Sequence, residues 1–273
     1  MDLILFSTDD KASMNIFKNI ESLVDLKELG KFRNIPYYRF KDFYLVTIEN
    51  EKVRAENIDA EIKNSLGIKF ENIIVASKHR SESGMKSLTV HPIGNFGSAD
   101  LGGKEKKIVS VPANYMTGAL LKLNELGAGI GYNISYEATH HGPFLSTPTF
   151  FIEIGSNEQE WNDKRAGKVI AETIINSKKT EEDVAIGIGG GHYTPRFTKI
   201  ALTKKISFGH MAPKYNADKV DIEMLMQMKE RSNAKYIIME KKDLSGKERK
   251  RIEDLLPAAH LELLDPDSLP DRD

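Results

Sequence analysis

Short apolar runs separated by segments of helical periodicity are the feature that most restricts how this chain can fold. Residues 2–7, 71–77 and 184–188 are apolar runs of strand length, as is typical of strands buried on both faces. Residues 11–29, between the first two, place apolar side chains at helical spacing. Strands that alternate with helices predict an α/β protein, here a single domain over residues 1–273 with a central mixed, largely parallel sheet flanked by helices.

The other predicted elements continue this alternation, except at residues 78–97. That segment combines polar and turn-forming residues after a buried strand, so we predict a loop where α/β proteins place ligand contacts. Ser156 and Ser245 are predicted to cap the helices that follow them. The remaining predictions are strands at 43–48, 107–111, 132–137, 149–154, 205–208, 236–240 and 260–264, and helices at 58–66, 112–126, 156–176, 217–231 and from 245.

The composition limits the possible chemistry. The chain has no cysteine, which excludes disulfides, thiolate nucleophiles and sulfur-ligated zinc and leaves histidine, aspartate and glutamate as metal ligands. Its 39 basic and 40 acidic residues give a net charge of −1, so nucleic-acid binding would have to depend on a local basic patch. No run of about 18 apolar residues is present and the first residues carry no basic leader, so we expect a cytoplasmic protein without a membrane span.

Three apolar runs end in the same way, with glycine, histidine and proline close together. Four histidines lie at these junctions, and two carboxylates lie near them in the sequence. The six residues are His140, His141, His192, His210, Glu137 and Glu153. Because parallel strands present their carboxyl ends along one edge, we expect the six side chains to converge at the carboxyl edge of one sheet.

Such a cluster suits hydrolysis of an ester or amide. A catalytic zinc takes about three nitrogen or oxygen ligands and a water, which it makes acidic enough to ionise near neutral pH. A spare carboxylate can act as general base and a free histidine as proton donor. The candidate metal ligands are His140, His141, His210 and Glu153, and the candidate catalytic residues are Glu137, His140, His141 and His192. The alternative is a site with one or two catalytic histidines and no metal.

The adjacent histidines impose a geometric condition. Neighbouring side chains in a strand point to opposite faces, so His140 and His141 can bind one metal only if the backbone turns between them. Gly142 and Pro143 follow directly and make such a turn plausible. Without the turn, one histidine would bind the metal and the other would contact the substrate.

The loops around the junctions carry the candidate substrate-binding residues. Consecutive glycines at 189–191 allow the backbone to approach a ligand closely and to point N–H groups at an anion. The candidates are His79, Arg80, His91, Gly189, Gly190, Gly191, Tyr193, Arg196 and Lys214.

The junctions are also recognisable as strings. Residues 136–143 (Tyr-Glu-Ala-Thr-His-His-Gly-Pro), 189–196 (Gly-Gly-Gly-His-Tyr-Thr-Pro-Arg) and 209–215 (Gly-His-Met-Ala-Pro-Lys-Tyr) resemble the archaeal and plant type of D-aminoacyl-tRNA deacylase, also called D-tyrosyl-tRNA deacylase. The resemblance includes residues 77–81 and 91–95 and spans essentially the whole chain.

This resemblance implies a zinc-dependent hydrolase that uses a zinc-activated water to cleave the ester between a D-amino acid and the 3′-terminal ribose of tRNA. It also implies a fold similar to phosphorylase and peptidyl-tRNA hydrolase domains. The partner would be a tRNA charged with a D-amino acid such as D-tyrosine, and we expect a monomer. Two alternatives are a zinc exopeptidase or nucleoside phosphorylase-like enzyme on the same fold, and a non-catalytic tRNA-binding protein.

The loop residues then have expected roles. The N–H groups of residues 189–191, or Arg196, would hold the oxyanion or a terminal phosphate. Tyr193, Phe197 or Tyr215 would stack on the terminal adenine. The basic side chains expected to contact the phosphates of the acceptor end are Arg80, Lys86, Arg196 and Lys214.

Overall fold

Two sheets, rather than one, organise the chain in the computed structural model, which describes residues 1–82 and 84–272. Eight strands form a first sheet in the order β2-β3-β4-β1-β5-β8-β6-β7, and four form a second in the order β10-β9-β11-β12. The strands are β1 (Asp2–Ser7), β2 (Lys27–Phe32), β3 (Ile35–Phe40), β4 (Phe43–Ile48), β5 (Ile73–Lys78), β6 (Ser87–Pro92), β7 (Asn133–Tyr136), β8 (Thr149–Gly155), β9 (Val184–Ile188), β10 (Ser207–Ala212), β11 (Tyr236–Met239) and β12 (Glu262–Leu263). The helices are α1 (Lys11–Leu23), α2 (Ile58–Leu66), α3 (Ala113–Leu126), α4 (Glu158–Trp161), α5 (Lys164–Asn176), α6 (Pro195–Thr203), α7 (Ile222–Ser232) and α8 (Gly246–Ala259).

The pairing directions confirm the predicted fold class. In the first sheet β1 pairs in parallel with β4 and β5, and β5 pairs in parallel with β8. The antiparallel pairs β2–β3, β3–β4 and β6–β8 make this sheet mixed. The pairs of the second sheet are all parallel. The predicted likeness to phosphorylase and peptidyl-tRNA hydrolase domains stays a prediction.

The second sheet changes where two of the three junctions lie. The histidine pair follows β7 of the first sheet, whereas β9 and β10 of the second sheet carry the chain to His192 and His210. Main-chain hydrogen bonds join the two sheets, from the Ala138 N–H to His192 O (2.7 Å) and from the Thr139 N–H to Met211 O (2.9 Å). The expectation of one sheet edge is therefore wrong: two edges are joined.

Three local predictions are also wrong because pairing with distant strands overrides the local pattern. The helix predicted at 11–29 ends at Leu23, since the following residues form the antiparallel hairpin of β2 and β3. The loop predicted at 78–97 contains β6, which pairs with β7 and β8. The strand predicted at 107–111 forms only an isolated bridge at Ile108.

Helix caps divide the predicted helix at 156–176 into α4 and α5. The side chains of Asn157 and Asp163 accept the N–H groups of Gln159 and Arg165 and begin the two helices, so the prediction that Ser156 is the cap is wrong. Ser245 forms the predicted capping box with Glu248 at the start of α8. The predicted start of the helix after Ser245 is thus confirmed, whereas the helix predicted from Ser156 begins at a different capping residue.

Helices cover both sheets. The largest apolar cluster includes buried side chains of α1, α3 and α5 and one face of the first sheet, while α7 and α8 bury an apolar cluster with the second sheet. Trp161 is buried in the first of these clusters. Among the helices formed by residues 1–82 and 84–272, none is long and apolar enough to cross a membrane.

Asp59 of α2 anchors the segment that follows the histidine pair. Its Oδ2 accepts hydrogen bonds from the N–H and hydroxyl groups of Ser146 and Thr147, at 2.7–3.0 Å. Burial alone would raise the pKa of Asp59, but these hydrogen bonds hold it below its ordinary value. We expect Asp59→Ala to lower the free energy of unfolding at pH 7 by about 3 kcal/mol, because buried donors lose a charged acceptor. Urea denaturation measures this difference.

The pH dependence of that difference separates the charge from simple loss of packing. A pKa that is lower in the folded state stabilises the fold above the unfolded pKa, near 4, and the stabilisation fades as the pH falls. The difference between the wild type and Asp59→Ala should therefore shrink between pH 7 and pH 3, whereas the exposed control Asp9→Ala should show little difference at either pH. A difference at Asp59 that does not change with pH would contradict this explanation.

Candidate active site

Three histidines from two segments bring their ring nitrogens together. His91 lies in β6, and His140 and His141 follow β7. One nitrogen from each ring lies within 4.8 Å of the other two. The φ angle of His141 is 45°, in the left-handed region, so the backbone turns between the two adjacent residues. The geometric condition for both rings to reach one metal is therefore met.

Backbone carbonyl groups fix the tautomer of all three rings. The Nδ1 atoms of His91, His140 and His141 lie 3.1, 2.8 and 2.6 Å from the carbonyl oxygens of Pro92, Ala138 and Gly142. A carbonyl oxygen can only accept, so each Nδ1 carries the proton and donates it. This leaves Nε2 with a free lone pair in the neutral ring, the usual arrangement behind a histidine that binds a metal.

Glu137 lies at the centre of a second group of side chains. Its Oε2 atom is 2.9 Å from His192 Nε2, 3.2 Å from His79 Nδ1 and 3.6 Å from His140 Nε2. His79 also contacts the Tyr193 hydroxyl through Nε2, at 3.0 Å. Glu137 is fully buried, so its charge is shielded from solvent and faces these imidazoles.

Glu153 connects the two groups. It lies in β8, and its Oε2 atom is 3.6 Å from both His79 Nδ1 and His91 Nε2. Oxygen and nitrogen atoms of Glu153, Glu137 and His91 also lie within 4.8 Å of one another. The histidines and carboxylates form one continuous buried cluster.

The histidine pair is neutral at physiological pH. Burial, helped by the neighbouring charge of His91, lowers the pKa of His141 to about 4. Burial and the same charge hold the pKa of His140 well below its ordinary value. Neutral imidazole is the form that can bind a metal, because a protonated nitrogen has no lone pair.

The carboxylates keep their charge and favour protonation of His79 and His91. Burial alone would raise the pKa of Glu137, but the imidazoles of His192 and His79 hold it well below its ordinary value. Burial would lower the pKa of His79, yet Glu137 and Glu153 raise it to about 11. Glu153 likewise outweighs burial and raises the pKa of His91, so a proton and a metal ion would compete for His91 Nε2.

His210, predicted to bind the metal, does not join this cluster. Its Nε2 donates to Val109 O (2.9 Å), and its Nδ1 lies 3.0 Å from the Thr139 hydroxyl, which also accepts the N–H of Met211. Burial lowers the pKa of His210 to about 3. Both nitrogens of this neutral ring form hydrogen bonds, so neither is free to bind a metal. The ring instead stabilises the backbone beside Thr139.

A cavity of about 340 Å³ opens beside the cluster. Asp10 and Lys52 also line the cavity, and the sequence did not single them out. Each lies just after the carboxyl end of a strand. α/β proteins place ligand contacts at such positions, so the strand ends could have indicated both residues. The lining residues are Ser7, Asp9, Asp10, Glu51, Lys52, Val53, Ser77, Lys78, His79, Arg80, Leu101, His140, His141, Glu153 and His192.

The predicted substrate-binding residues are only partly brought together. His79 and Arg80 line the cavity, and His91 lies in the metal-type group instead of a loop. The Gly189–Gly191 run and Tyr193, Arg196 and Lys214 are not part of the cavity wall. Arg196 pairs with Glu240 at 3.3 Å and lines a separate hollow.

Four of the aromatic and basic candidates can also be placed. Phe197 is buried in the apolar core, so it cannot stack on a base as expected, whereas Tyr215 is 57% exposed. Lys86 lies 3.5 Å from the buried Glu160. Lys214 is exposed, and its N–H donates to Gly190 O.

The donor atoms of the cluster fit a divalent metal. Among the described residues, His91 Nε2 and both oxygens of Glu137 are buried atoms without a hydrogen-bond partner. His192 Nε2 approaches Glu137 Oε2 to 2.9 Å, but the alignment is not that of a hydrogen bond. Buried polar atoms normally have partners, and histidine nitrogen and carboxylate oxygen are ordinary zinc ligands.

Comparisons with known proteins identify a family for this chain. A family model described as D-aminoacyl-tRNA deacylase matches residues 66–264. A D-aminoacyl-tRNA deacylase of Pyrococcus abyssi is 40% identical over 272 residues, which cover 97% of this chain and 99% of the relative. One of Archaeoglobus fulgidus is 35% identical and covers 97% and 96%. A crystal structure of a conserved protein of unknown function superposes with a TM-score of 0.92 at 34% identity, covering 100% of this chain and 98% of the other.

The fold and the cluster together define an α/β enzyme with a buried histidine–carboxylate cluster as its candidate active site. The matched relatives cover nearly the whole chain at well over 30% identity. The chain belongs to the D-aminoacyl-tRNA deacylase family. This favours the deacylase interpretation over the exopeptidase, phosphorylase and non-catalytic alternatives.

Proposed function

We propose that this chain hydrolyses the ester bond of D-aminoacyl-tRNA, such as D-tyrosyl-tRNA, and releases the free D-amino acid and the tRNA. Its family membership supports the proposal. The observation that carries it is the convergence of His91, His140 and His141 beside a cavity of about 340 Å³, large enough for a small ligand group. We further propose that the protein acts as a monomer in the cytoplasm.

His91, His140 and His141 would hold a zinc ion. Their free Nε2 atoms, and the shared Nδ1 bonds to carbonyl oxygens, support this assignment. A bound zinc would supply a Lewis acid for the ester carbonyl and acidify a water molecule. The donor atoms of His79, Glu137 and His192 also lie within 4.8 Å of one another, and this second group would serve proton transfer.

Glu137 and His192 would move the protons. Glu137 takes a proton from the attacking water as the water oxygen bonds to the carbonyl carbon. His192, which lines the cavity and lies 2.9 Å from Glu137 Oε2, gives a proton to the ribose oxygen as the ester C–O bond breaks. Transfer from Glu137 to His192 then restores both groups, so the reaction consumes one water and leaves the residues unchanged.

Lys78 and Arg80 would hold the phosphates at the acceptor end of the tRNA. Their charged groups lie 5.5 and 5.6 Å from the ring of Trp161, and both residues line the cavity. The indole N–H of Trp161 donates to His79 O (3.0 Å) and supports the same loop. The exposed ring of Tyr215 would stack on the terminal adenine. These local charges would let a nearly neutral protein bind a polyanion.

The proposed function is tested with purified protein and tRNA charged with D- or L-tyrosine. We expect release of D-tyrosine, at least tenfold slower release of L-tyrosine, loss of activity after treatment with a chelator and recovery with zinc. Full activity after exhaustive chelation would overturn the metal assignment but not the deacylase. Equal rates for the two enantiomers would overturn the D-specific role, and no release from either would overturn the function.

A further inference from the structure

A buried ion pair in the cavity wall takes no part in the steps described above. Lys52 Nζ lies 2.7 Å from Asp10 Oδ2, with side chains only 2% and 7% exposed. Both residues line the cavity beside His140 and His141. Removing two charges from water carries a free-energy penalty that offsets much of their mutual attraction. A buried ion pair therefore need not be present because it stabilises the fold. A role toward the substrate is therefore worth seeking.

The two partners differ in their remaining capacity for hydrogen bonds. Asp10 is saturated: Oδ1 accepts the Ser13 N–H, and Oδ2 accepts Lys52, the Ser77 hydroxyl and the Lys78 N–H, at 2.7–3.2 Å. An ammonium group has three N–H donors. Among the described residues, Lys52 Nζ makes one hydrogen bond, to Asp10. The group with unused donors is thus Lys52. Burial lowers its pKa, and the contact with Asp10 opposes that shift and favours the ammonium form.

The fold places this cation next to the reacting end of the cavity. The Ser77 hydroxyl shares Asp10 Oδ2 with Lys52, and Ser77 is the register partner of Glu153 on the neighbouring strand. Glu153 in turn lies 3.6 Å from His91 Nε2. A single strand spacing therefore separates the ion pair from the histidine cluster.

Ester hydrolysis needs a donor for the negative charge that develops on the carbonyl oxygen. The glycine run expected to supply it is not part of the cavity wall. The Gly189 N–H is already used, since it donates to Ala212 O at 2.9 Å. Lys52 has free donors and a place in the wall of the cavity, and its ammonium group, paired with Asp10, is shielded from solvent.

We propose that Lys52 is a catalytic residue of the deacylation, donating a hydrogen bond from its ammonium group to the ester carbonyl oxygen and stabilising the charge that develops there. This inference rests on the proposed function. Lys52 transfers no proton: the carbonyl π electrons move to the oxygen when water adds and return when the bond to the ribose oxygen breaks. Asp10 orients the ammonium group and balances its charge.

The test compares variants of the zinc-loaded enzyme by single-turnover deacylation of D-phenylalanyl-tRNA. Lys52→Met is expected to lower the rate constant by about 10²- to 10³-fold, the effect of losing one oxyanion donor, with the same zinc content. The double variant Asp10→Asn/Lys52→Met leaves no unpaired buried charge and should show the same loss while folded. Asp10→Asn alone keeps the lysine and a capping side chain but removes the charge that favours the ammonium form, so it should lose no more activity than the double variant.

A matched control is the partly buried pair Glu182–Arg272, remote from the cavity, with contacts of 2.6 and 2.8 Å. Glu182→Gln/Arg272→Met should keep wild-type activity. A folded, zinc-loaded Asp10→Asn/Lys52→Met enzyme within threefold of the wild-type rate would overturn the proposal. If no wild-type deacylation is seen, the proposed function fails first, so the two failures are distinguishable.

The substrate distinguishes charge stabilisation from recognition of the α-amino group. D-Phenyllactyl-tRNA has the same ester but a hydroxyl in place of the α-ammonium. A carbonyl-oxygen donor predicts the same loss for both substrates when Lys52 is replaced. A loss confined to D-phenylalanyl-tRNA would mean that the ion pair reads the ammonium group, which contradicts the proposed role.

Discussion

Replacing His141 with asparagine is expected to reduce deacylation by about 10³-fold and to remove zinc. The ring supplies one of three clustered nitrogens, and loss of a metal that polarises the carbonyl is worth several kcal/mol, at 1.36 kcal/mol for each tenfold. Asparagine is chosen because His141 has a φ of 45°, which asparagine tolerates better than alanine. Metal analysis and single-turnover rates on the same preparation measure both effects.

His260→Asn is the matched control for this substitution. His260 also has a positive φ, 50°, as the capping residue after α8, and it is exposed outside the cluster. It should keep full zinc and full activity. Retention of zinc by a folded His141→Asn variant would contradict its assignment as a ligand, and retention of activity without zinc would remove the metal from the mechanism.

Replacing Glu137 with glutamine is expected to lower the deacylation rate by about 10³-fold while zinc stays bound. Loss of a general base costs about 10²- to 10⁴-fold, and the proposed ligands are His91, His140 and His141. Glutamine has nearly the same shape but cannot take the proton of the attacking water. Rates and zinc content, measured together, separate this effect from that of a ligand.

Glu160→Gln is the control, because Glu160 is another buried carboxylate with an unpartnered oxygen, outside the metal-type groups. It should leave the rate within about threefold of the wild type. If Glu137→Gln loses zinc together with activity, then Glu137 is a ligand and another group is the base. A Glu137→Gln enzyme that keeps both would leave Glu137 without a role in the reaction.

The strand-end histidines could be found from the sequence because their chemistry and their local pattern coincide. His140, His141 and His192 each follow an apolar run, and all three line the cavity. His210 has the same local pattern, but its ring is turned toward Thr139 and Val109. Which way a buried ring faces depends on neighbours distant in sequence, and no local pattern contains that information.

The role of His91 was missed for a different reason. β6 alternates small polar and apolar residues, which resembles a solvent-exposed loop when several turn-forming residues surround it. In the structure His91, like Ser87 and Thr89, is buried. A strand whose polar face lines a site has the same composition as a segment on the protein surface. The local sequence therefore predicts an exposed loop where the structure has a buried strand.

Lys52 and Asp10 were missed because each is unremarkable locally. Asp10 caps α1, which alone explains its presence, and Lys52 is one of many lysines. They meet only because β1 and β4 lie side by side in parallel, a pairing between segments about 40 residues apart. The periodicity of apolar residues was enough to predict the fold class. Predicting the contact between Asp10 and Lys52 would also have required the order of the strands in the sheet.

The joining of two sheets also bears on how the protein is made. The three proposed zinc ligands all lie before residue 142, in segments that leave the ribosome early. The backbone next to them is bonded to His192 and Met211, which emerge later with the second sheet. A nascent chain therefore carries the proposed zinc ligands before it has the backbone partners of Ala138 and Thr139, and these hydrogen bonds can form only after Met211 has been synthesised.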